Sequence, residues 1–160
     1  MTDYSKYQVV IFSMKEPYSE LSEYCFRQLG FTNVIVLDSN TSFVDKFREF
    51  SKIVNDTDFE YYIRSDSDRF VFDGMCEMVD SIDNKYTHFE GFGFDYFMNK
   101  FRGATPQIYH RSLLLKLFNN NNLIKEVPKP EGYFCKKVNH KQKIVKCITK
   151  LLDVDIQIIV

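Results

Sequence analysis

The first half of the chain alternates short apolar runs with segments in which apolar residues recur at helical spacing. Three runs rich in β-branched and aromatic residues, at residues 8–13, 33–38 and 60–64, predict strands, the first of them buried. Apolar residues three or four positions apart, between and after these runs, predict amphipathic helices. The predicted order is β-α-β-α-β-α, which is typical of a mostly parallel sheet with helices on both faces.

Each helix of the first half is predicted from an apolar stripe, and residues that begin or end helices support two of them. Pro17 suits the first turn of the first helix, Gly30 suits its carboxyl end, and Thr41 or Ser42 can cap the second helix. The three stripes are Leu21, Tyr24, Cys25 and Leu29; then Phe43, Phe47, Phe50 and Val54; and then Met75, Met78, Val79 and Ile82.

The second half continues the pattern less regularly. Residues 86–97 are rich in aromatic side chains and predict extended backbone, and residues 107–109 lead into a helix with a leucine-rich face. Residues 137–152 carry apolar residues at helical spacing and predict an amphipathic helix, after which residues 156–160 predict a last strand.

The composition is that of one folded domain. The chain has 160 residues, 44% of them apolar and 27% charged, and its 16 Phe and 10 Tyr predict a core rich in aromatic rings. We therefore expect a single domain over residues 1–160. No run of about 18 apolar residues occurs, which argues against a transmembrane helix. The net charge of −1 gives no overall attraction to nucleic acid.

The cysteines have no spacing typical of a zinc site. Free thiols in a reducing cytoplasm are the favoured interpretation, although the spacing leaves disulfides open. The four are Cys25, Cys76, Cys135 and Cys147.

Lysine is concentrated late in the chain. Residues 125–150 contain eight Lys against two Glu, a net charge of +6, so the remaining residues sum to −7. We favour a solvated helix face over a contact surface for an anionic partner.

Asp66 and Asp68 are the strongest chemical signal, because they directly follow a predicted apolar strand. In extended backbone, side chains two residues apart share a face. Two carboxylates that lie close together repel each other unless a cation or a proton lies between them. Mg²⁺ and Mn²⁺ prefer oxygen ligands and often bind one or two carboxylates plus phosphate oxygens. The pair therefore predicts a metal–diphosphate site, and an acidic turn that caps the next helix is the competing interpretation.

Other polar residues stand at the predicted carboxyl ends of strands, where parallel sheets bind ligands. Ser13 ends the first strand and Asp38 ends the second. Arg64 and Arg69 flank the acidic pair, and either could bind a phosphate oxygen or form an ion pair that offsets the acidic charge. His110 could orient a phosphate, or could be a structural residue held by hydrogen bonds.

Four segments resemble the glycosyltransferases of the GT-A fold, which use nucleotide-sugar donors. Residues 9–13 resemble the opening strand, and residues 34–41 resemble the strand that ends in an acid. Residues 43–68 resemble the helix and strand that lead into the D-x-D motif, and residues 103–117 resemble the strand and helix after it. Together they cover about residues 8–118. The resemblance implies a minimal GT-A fold, nucleotide-diphospho-sugar transferase-like, with a mostly parallel sheet flanked by helices.

The resemblance also implies a metal-dependent transfer of sugar from a nucleotide-diphosphate donor to the hydroxyl of a glycan, protein or lipid acceptor. It implies that Asp38 contacts the nucleoside, and that Asp66 and Asp68 bind the diphosphate through Mn²⁺ or Mg²⁺. The predicted donor-binding residues are Ser13, Asp38, Arg64, Asp66 and Asp68.

An inverting member of this family needs a carboxylate base to take the proton of the acceptor hydroxyl. Glu131 stands about where the family carries two adjacent acids, but Gly132 replaces the second acid. Glu90 and Asp95 are the alternative bases. The interval between the acidic strand end and the D-x-D motif is 27 residues, which is shorter than in the family.

Two other functions stay open at this point. A shortened relative of these enzymes could bind a sugar or a partner without catalysis. A haloacid-dehalogenase-like phosphotransferase also uses D-x-D after a strand, but normally on the first strand and followed by Gly-Thr, whereas here Arg69 and Phe70 follow. The interpretation of the cysteines as free thiols predicts a cytoplasmic protein. Richness in Lys, Asn, Phe, Tyr and Ile suggests an A+T-rich genome, such as that of a virus.

Overall fold

The computed structural model describes residues 3–95, 100–119 and 142–145. After a short 3-10 helix at Tyr4–Lys6, the chain alternates strands and helices as far as α3, which confirms the predicted order of the first half. The elements are β1 (Tyr7–Ser13), α1 (Ser19–Gln28), β2 (Val34–Asp38), α2 (Phe43–Asp56), β3 (Tyr61–Asp66), α3 (Gly74–Asp80), β4 (His88–Asp95), β5 (Lys100–His110), α4 (Arg111–Phe118) and β6 (Gln142–Val145).

The described strands form one mixed sheet in the order β2-β1-β3-β5-β4-β6. β1 pairs in parallel with β2 and β3, and β4 pairs in parallel with β6. β5 is antiparallel to both of its neighbours, β3 and β4. All of these strands except β5 therefore point the same way, which confirms the predicted mostly parallel sheet.

Helices cover both faces of this sheet, and each face has its own apolar core. On one face Phe26 of α1 and Met78 of α3 belong to the same buried core as Ile11 of β1. On the other face Phe50 of α2 and Leu114 of α4 pack against residues of β1 and β3. Neighbouring strand residues point to opposite faces, so an all-buried strand such as β1 supplies both cores.

The predicted core face of α1 is partly wrong. Leu21 and Tyr24 are exposed, whereas Ser22 and Phe26, which lie one turn apart, are buried. Ser22 donates from Oγ to the Arg69 carbonyl at 2.9 Å, a close approach that a small residue permits. Gly30 follows the helix with φ of 97°, so the predicted glycine at its carboxyl end is confirmed.

The predicted helix at residues 137–152 is wrong where the structure describes that segment. Gln142–Val145 is strand β6, paired in parallel with β4. Ile144 and Val145 are β-branched and favour extended backbone. The edge of β4 opposite to β5 provides the hydrogen-bond partners that this extended backbone needs. The predicted strand at residues 156–160 lies outside the described residues.

Two of the four cysteines lie in the described part of the chain. Cys25 and Cys76 are free thiols, and the cysteines at 135 and 147 lie outside the described residues. Within that same part of the chain, the helices are too short or too polar to cross a membrane.

Ser42 is the residue that caps α2, one of the two predicted candidates. Its Oγ accepts from the backbone N–H of Asp45 at 3.1 Å and donates to the Asp45 carboxylate at 2.7 Å. We expect Ser42→Ala to lower the free energy of unfolding by about 1 kcal/mol, because that N–H then loses its partner in the protein. Urea unfolding measures the change, and Ser51→Ala within the same helix is the control, for which we expect no loss.

Candidate functional site

Three adjacent parallel strands bring polar residues to one edge of the sheet. In register, Ser13 at the end of β1 lies beside Asp38 at the end of β2. Phe12, the residue before Ser13, lies beside Asp66 at the end of β3. The structure therefore brings together three of the residues that the sequence places at strand ends. We call this the carboxyl edge.

Asp38 is held by the end of β1 and the loop that follows it. Its Oδ1 accepts from Ser13 Oγ at 2.6 Å and from the backbone N–H of Lys15 at 3.0 Å. Lys15 has φ of 62°, a left-handed conformation that costs a lysine some free energy. The hydrogen bonds of Asp38 within the described residues use Oδ1, which leaves Oδ2 for a ligand hydroxyl.

Glu16 connects the loops after β1 and β3. Its Oε2 accepts from the backbone N–H of Met14 at 2.5 Å and from Ser67 Oγ at 2.6 Å. The same oxygen lies 3.1 Å from Ser13 Oγ, whose single proton can point to either Glu16 or Asp38. Burial is the largest influence and works to raise the pKa of Glu16, but these hydrogen bonds together outweigh it, so the pKa lies below its ordinary value of 4.5.

The lowered pKa of Glu16 gives a pH prediction. A carboxylate whose pKa is lower in the folded than in the unfolded protein stabilises the fold above the unfolded value, and that stability is lost as pH falls through the folded value. We expect Glu16→Gln to be less stable than the wild type near neutral pH, with a difference that shrinks as pH falls below 4.5. Urea unfolding at several pH values measures it. Glu20→Gln, an exposed position in α1, is the control, and a constant difference for Glu16→Gln would contradict the prediction.

Lys46 of α2 holds the ends of β1 and β2 together at the carboxyl edge. Its Nζ donates to the backbone carbonyls of Ser13 at 2.5 Å, Ser39 at 2.7 Å and Leu37 at 3.1 Å, and the side chain is buried. Burial lowers the pKa of the ammonium group, and nearby carboxylates, including Asp38 and Glu16, oppose that shift. One buried charge thus connects the ends of β1 and β2.

Asp66 is paired with a buried arginine of its own strand. Arg64 Nη2 lies 2.5 Å from Asp66 Oδ1, and the Arg64 side chain is 4% exposed, whereas that of Asp66 is 34% exposed. The position of Arg64 in the sequence allows either a bond to a phosphate oxygen or an ion pair with the acidic residues. The structure shows the ion pair, and a direct phosphate contact would need the buried guanidinium to move.

Asp68 does not lie in extended backbone beside Asp66, as the sequence argument assumed. β3 ends at Asp66, and the backbone N–H of Arg69 donates to the Asp66 carbonyl at 3.0 Å, which closes a turn. The Asp68 side chain is 62% exposed, and its Oδ1 lies 3.6 Å from Arg69 Nε. The acidic pair therefore combines one carboxylate fixed at a strand end with one on an exposed turn.

The oxygens of Asp66 and Asp68 are the hard ligands that Mg²⁺ and Mn²⁺ prefer. Among the residues that the structure describes, no group of three or more His, Cys, Asp or Glu side chains could hold a metal ion. A cation bound to these two carboxylates would need further oxygens from phosphate or water, which is the usual way in which Mg²⁺ is bound beside substrate phosphates.

Solved structures with a similar arrangement of strands and helices include a bifunctional protein, a synthase and a protein from STIV. The bifunctional IspDF from Campylobacter jejuni has a TM-score of 0.63 and 14% identity, over 88% of this chain and 49% of that chain. The 4-diphosphocytidyl-2C-methyl-D-erythritol synthase from Anaerococcus prevotii has a TM-score of 0.62 and 11% identity, over 88% and 86%. A197 from STIV has a TM-score of 0.61 and 11% identity, over 88% and 82%.

The chain has a nucleotide-diphospho-sugar transferase-like fold. It spans about half the length of the IspDF chain. No protein-family model and no curated protein sequence matches this chain. At this level of identity, the structural likeness shows the fold alone.

Within this transferase-like fold, β4 and β5 extend past the end of β3. The last pair between β3 and β5 is Arg64 with Gln107, whereas β4 and β5 stay paired as far as Asp95 with Lys100. Because β4 is parallel to β3, the paired strands β4 and β5 continue beyond the carboxyl edge.

The three candidate bases have different positions in this transferase-like fold. Glu90 is level with Arg64, since both pair with Gln107, and therefore lies before the carboxyl edge. Asp95 is the last residue of β4. Because β4 is parallel to β3, Asp95 lies at the end of the sheet where β3 also ends, which is the carboxyl edge. Glu131 lies outside the described residues.

The phosphate-orienting role considered for His110 is wrong, because this residue lies at the opposite edge of the sheet. It pairs with Tyr61, the first residue of β3, and ends the antiparallel strand β5. Its Nδ1 accepts from the backbone N–H of Ser112 at 3.2 Å and caps α4. The alternative interpretation, a structural histidine held by hydrogen bonds, describes its position.

Three residues of the carboxyl edge were missed by sequence reasoning: Glu16, Lys46 and Ser67. Lys46 had a detectable signal, because it lies one turn before Phe50 on the apolar stripe of α2 and a lysine at such a position must find buried partners. Glu16 and Ser67 lie in loops. Loop sequences have no periodic pattern of apolar residues, so the sequence does not show that these two loops come into contact.

Proposed function

We propose that the protein is a transferase that binds a nucleotide-diphosphate sugar at the carboxyl edge and moves the sugar to an acceptor hydroxyl. The observation that carries the proposal is the convergence of Ser13, Asp38 and Asp66 at the ends of three adjacent parallel strands, with Asp68 on the next turn. Ligands of open α/β sheets bind at this edge. The fold supports a nucleotide-diphosphate ligand, because one structure of the same fold is named for a diphosphocytidyl compound.

In this proposal each acid has a separate task. Asp38 offers Oδ2 to a ribose hydroxyl, while Ser13 and Lys15 hold its other oxygen. Asp66 and Asp68 bind the diphosphate through Mn²⁺ or Mg²⁺, which when bound would stabilise the charge on the leaving diphosphate. Arg64 contributes through Asp66, which it holds.

The proposed acceptor is a glycan, protein or lipid hydroxyl, and its proton goes to a carboxylate base. Glu131 remains the base proposed from the family resemblance. Of the two alternatives, Asp95 is favoured over Glu90, because Asp95 ends β4 at the carboxyl edge, where Asp38 and Asp66 also end their strands.

The test is a melting experiment with Mn²⁺ and each of UDP, GDP, CDP and ADP. A ligand at about 100 times its Kd should raise the melting temperature by about 5–10 °C for a chain of this size. We expect one nucleotide to do so, and we expect Asp66→Ala together with Asp68→Ala to abolish the shift. An unchanged melting curve with all four nucleotides would overturn the proposal.

The chain contains a matched control for this double variant. Asp56 and Asp58 have the same D-x-D spacing, are both exposed, and lie just before β3 begins, at the opposite edge of the sheet. We expect Asp56→Ala together with Asp58→Ala to keep the full nucleotide shift. Loss of the shift in both double variants would indicate a general charge effect and not a site.

Nucleotidyl transfer is a second candidate, favoured by the named synthase among the structures of the same fold. Such an enzyme would bind a nucleoside triphosphate and release pyrophosphate. Release of pyrophosphate from CTP or UTP in the presence of a sugar phosphate would favour this candidate, whereas slow hydrolysis of a nucleotide sugar would favour glycosyl transfer.

A further inference from the structure

Arg64 is a buried charge with one carboxylate partner among the described residues. Its guanidinium carbon lies 5.0 Å from the ring centre of Phe43, 5.2 Å from that of Phe12 and 5.8 Å from that of Phe47. Nη2 contacts Asp66 Oδ1 at 2.5 Å, and Nε has no hydrogen-bond partner within the described part of the chain. The aromatic rings remove water from this charge, so it is screened weakly and acts strongly on its surroundings.

The charge of Arg64 bears directly on what Asp66 can bind. A carboxylate next to a fixed guanidinium attracts a divalent cation less than a free carboxylate does, because the cation also meets the positive charge beside it. One Asp66 oxygen is already engaged by Nη2. Asp68, on its exposed turn, lies near a second guanidinium, that of Arg69. Both acids of the pair are therefore partly neutralised before any ligand arrives.

We propose that Arg64 is a positioning residue that orients Asp66 and prevents it from binding a divalent cation by itself, so that the cation binds only together with the diphosphate. The inference rests on the proposed function. The negative charge of a diphosphate offsets the repulsion from Arg64 and supplies the oxygens that the two acids lack. Arg64 thereby makes the binding of cation and nucleotide mutually dependent.

The experiment titrates Mn²⁺ without nucleotide and measures free Mn²⁺ by electron paramagnetic resonance. We expect Arg64→Met to bind Mn²⁺ at least about tenfold more tightly than the wild type. A damaged fold would not produce a gain in affinity, so this readout separates the proposal from a merely structural role. Arg48→Met is the matched control, because Arg48 forms an exposed pair with Asp45 at 2.6 Å, and we expect no change.

Further measurements keep the inference falsifiable. If Arg64→Met does not fold, Arg64→Gln replaces it. Adding Asp66→Asn to either variant should remove the gain in affinity, and a gain that persists would overturn the inference, as would unchanged or weaker binding by Arg64→Met. Where the melting experiment has shown that a nucleotide binds, wild-type protein that binds Mn²⁺ equally well with and without that nucleotide would also overturn the inference. The comparison of Arg64→Met with the wild type uses no nucleotide, so it and the melting experiment can fail separately.

Discussion

Replacing Lys46 with methionine is expected to lower the free energy of unfolding by about 3 kcal/mol or more. The ammonium group donates to three backbone carbonyls, those of Ser13, Leu37 and Ser39, and methionine fills similar space without a donor. A hydrogen bond from a charged group contributes about 1.5–3 kcal/mol, and buried acceptors left without partners add a further cost. The Ser13 carbonyl keeps one donor, the backbone N–H of Ser39 at 3.3 Å, so that carbonyl is not left without a partner.

Urea unfolding measures this change, and Lys52→Met is the control, because Lys52 is an exposed lysine of the same helix. We expect the control to change the free energy of unfolding by less than about 0.5 kcal/mol. A similarly small effect for Lys46→Met would mean that water or a shifted backbone satisfies these carbonyls. Lys46→Met should also weaken the nucleotide-dependent rise in melting temperature, because the ends of β1 and β2 that present Ser13 and Asp38 lose their common anchor.

The sequence was sufficient to predict the sheet edge that forms the candidate site. Strand prediction needed only the three apolar runs that lead to Ser13, Asp38 and Asp66, whose lengths and β-branched or aromatic residues are typical of strands. Once the order β-α-β-α-β is known, parallel pairing brings the ends of these strands to one edge. No side-chain contact had to be known for that conclusion.

The side-chain contacts at the carboxyl edge could not be predicted from the sequence. Glu16 and Ser67 are 51 residues apart, and only the closed fold brings their loops within 2.6 Å. Arg64 could be interpreted as a phosphate ligand or as an ion-pair partner, and the burial that favours the second arises from three aromatic rings on two elements. Asp68 follows the last β3 residue by two positions, so a local turn changed which way it faces.

The same difference between local pattern and tertiary context explains the errors in secondary structure. The apolar residues at helical spacing in α1 predict its buried face, but two of them, Leu21 and Tyr24, are exposed. β6 was predicted as helix because its apolar spacing fits a helix, whereas the edge of β4 supplies hydrogen-bond partners that only a strand can use. In both cases the neighbouring element decides the outcome.

Replacing Phe50 with alanine is expected to have an effect as large as that of Lys46→Met, from a different cause. Phe50 is 0% exposed, and its ring centre lies 5.6 Å from that of Phe118 and 6.0 Å from that of Phe12. Removing a buried phenyl ring costs about 3–5 kcal/mol, because transfer free energy is lost and a cavity remains. Phe72→Ala, an exposed loop position, is the control in the same urea unfolding experiment, with an expected change below about 0.5 kcal/mol. Equal losses in the two variants would contradict the assignment of Phe50 to the core that α2 and α4 form with the sheet.

Phe50→Ala is also expected to disturb Asp66. Phe50 packs against Phe12, Phe12 packs against the Arg64 guanidinium, and Arg64 holds Asp66. The Mn²⁺-dependent rise in melting temperature with nucleotide, measured on the folded variant, tests this effect.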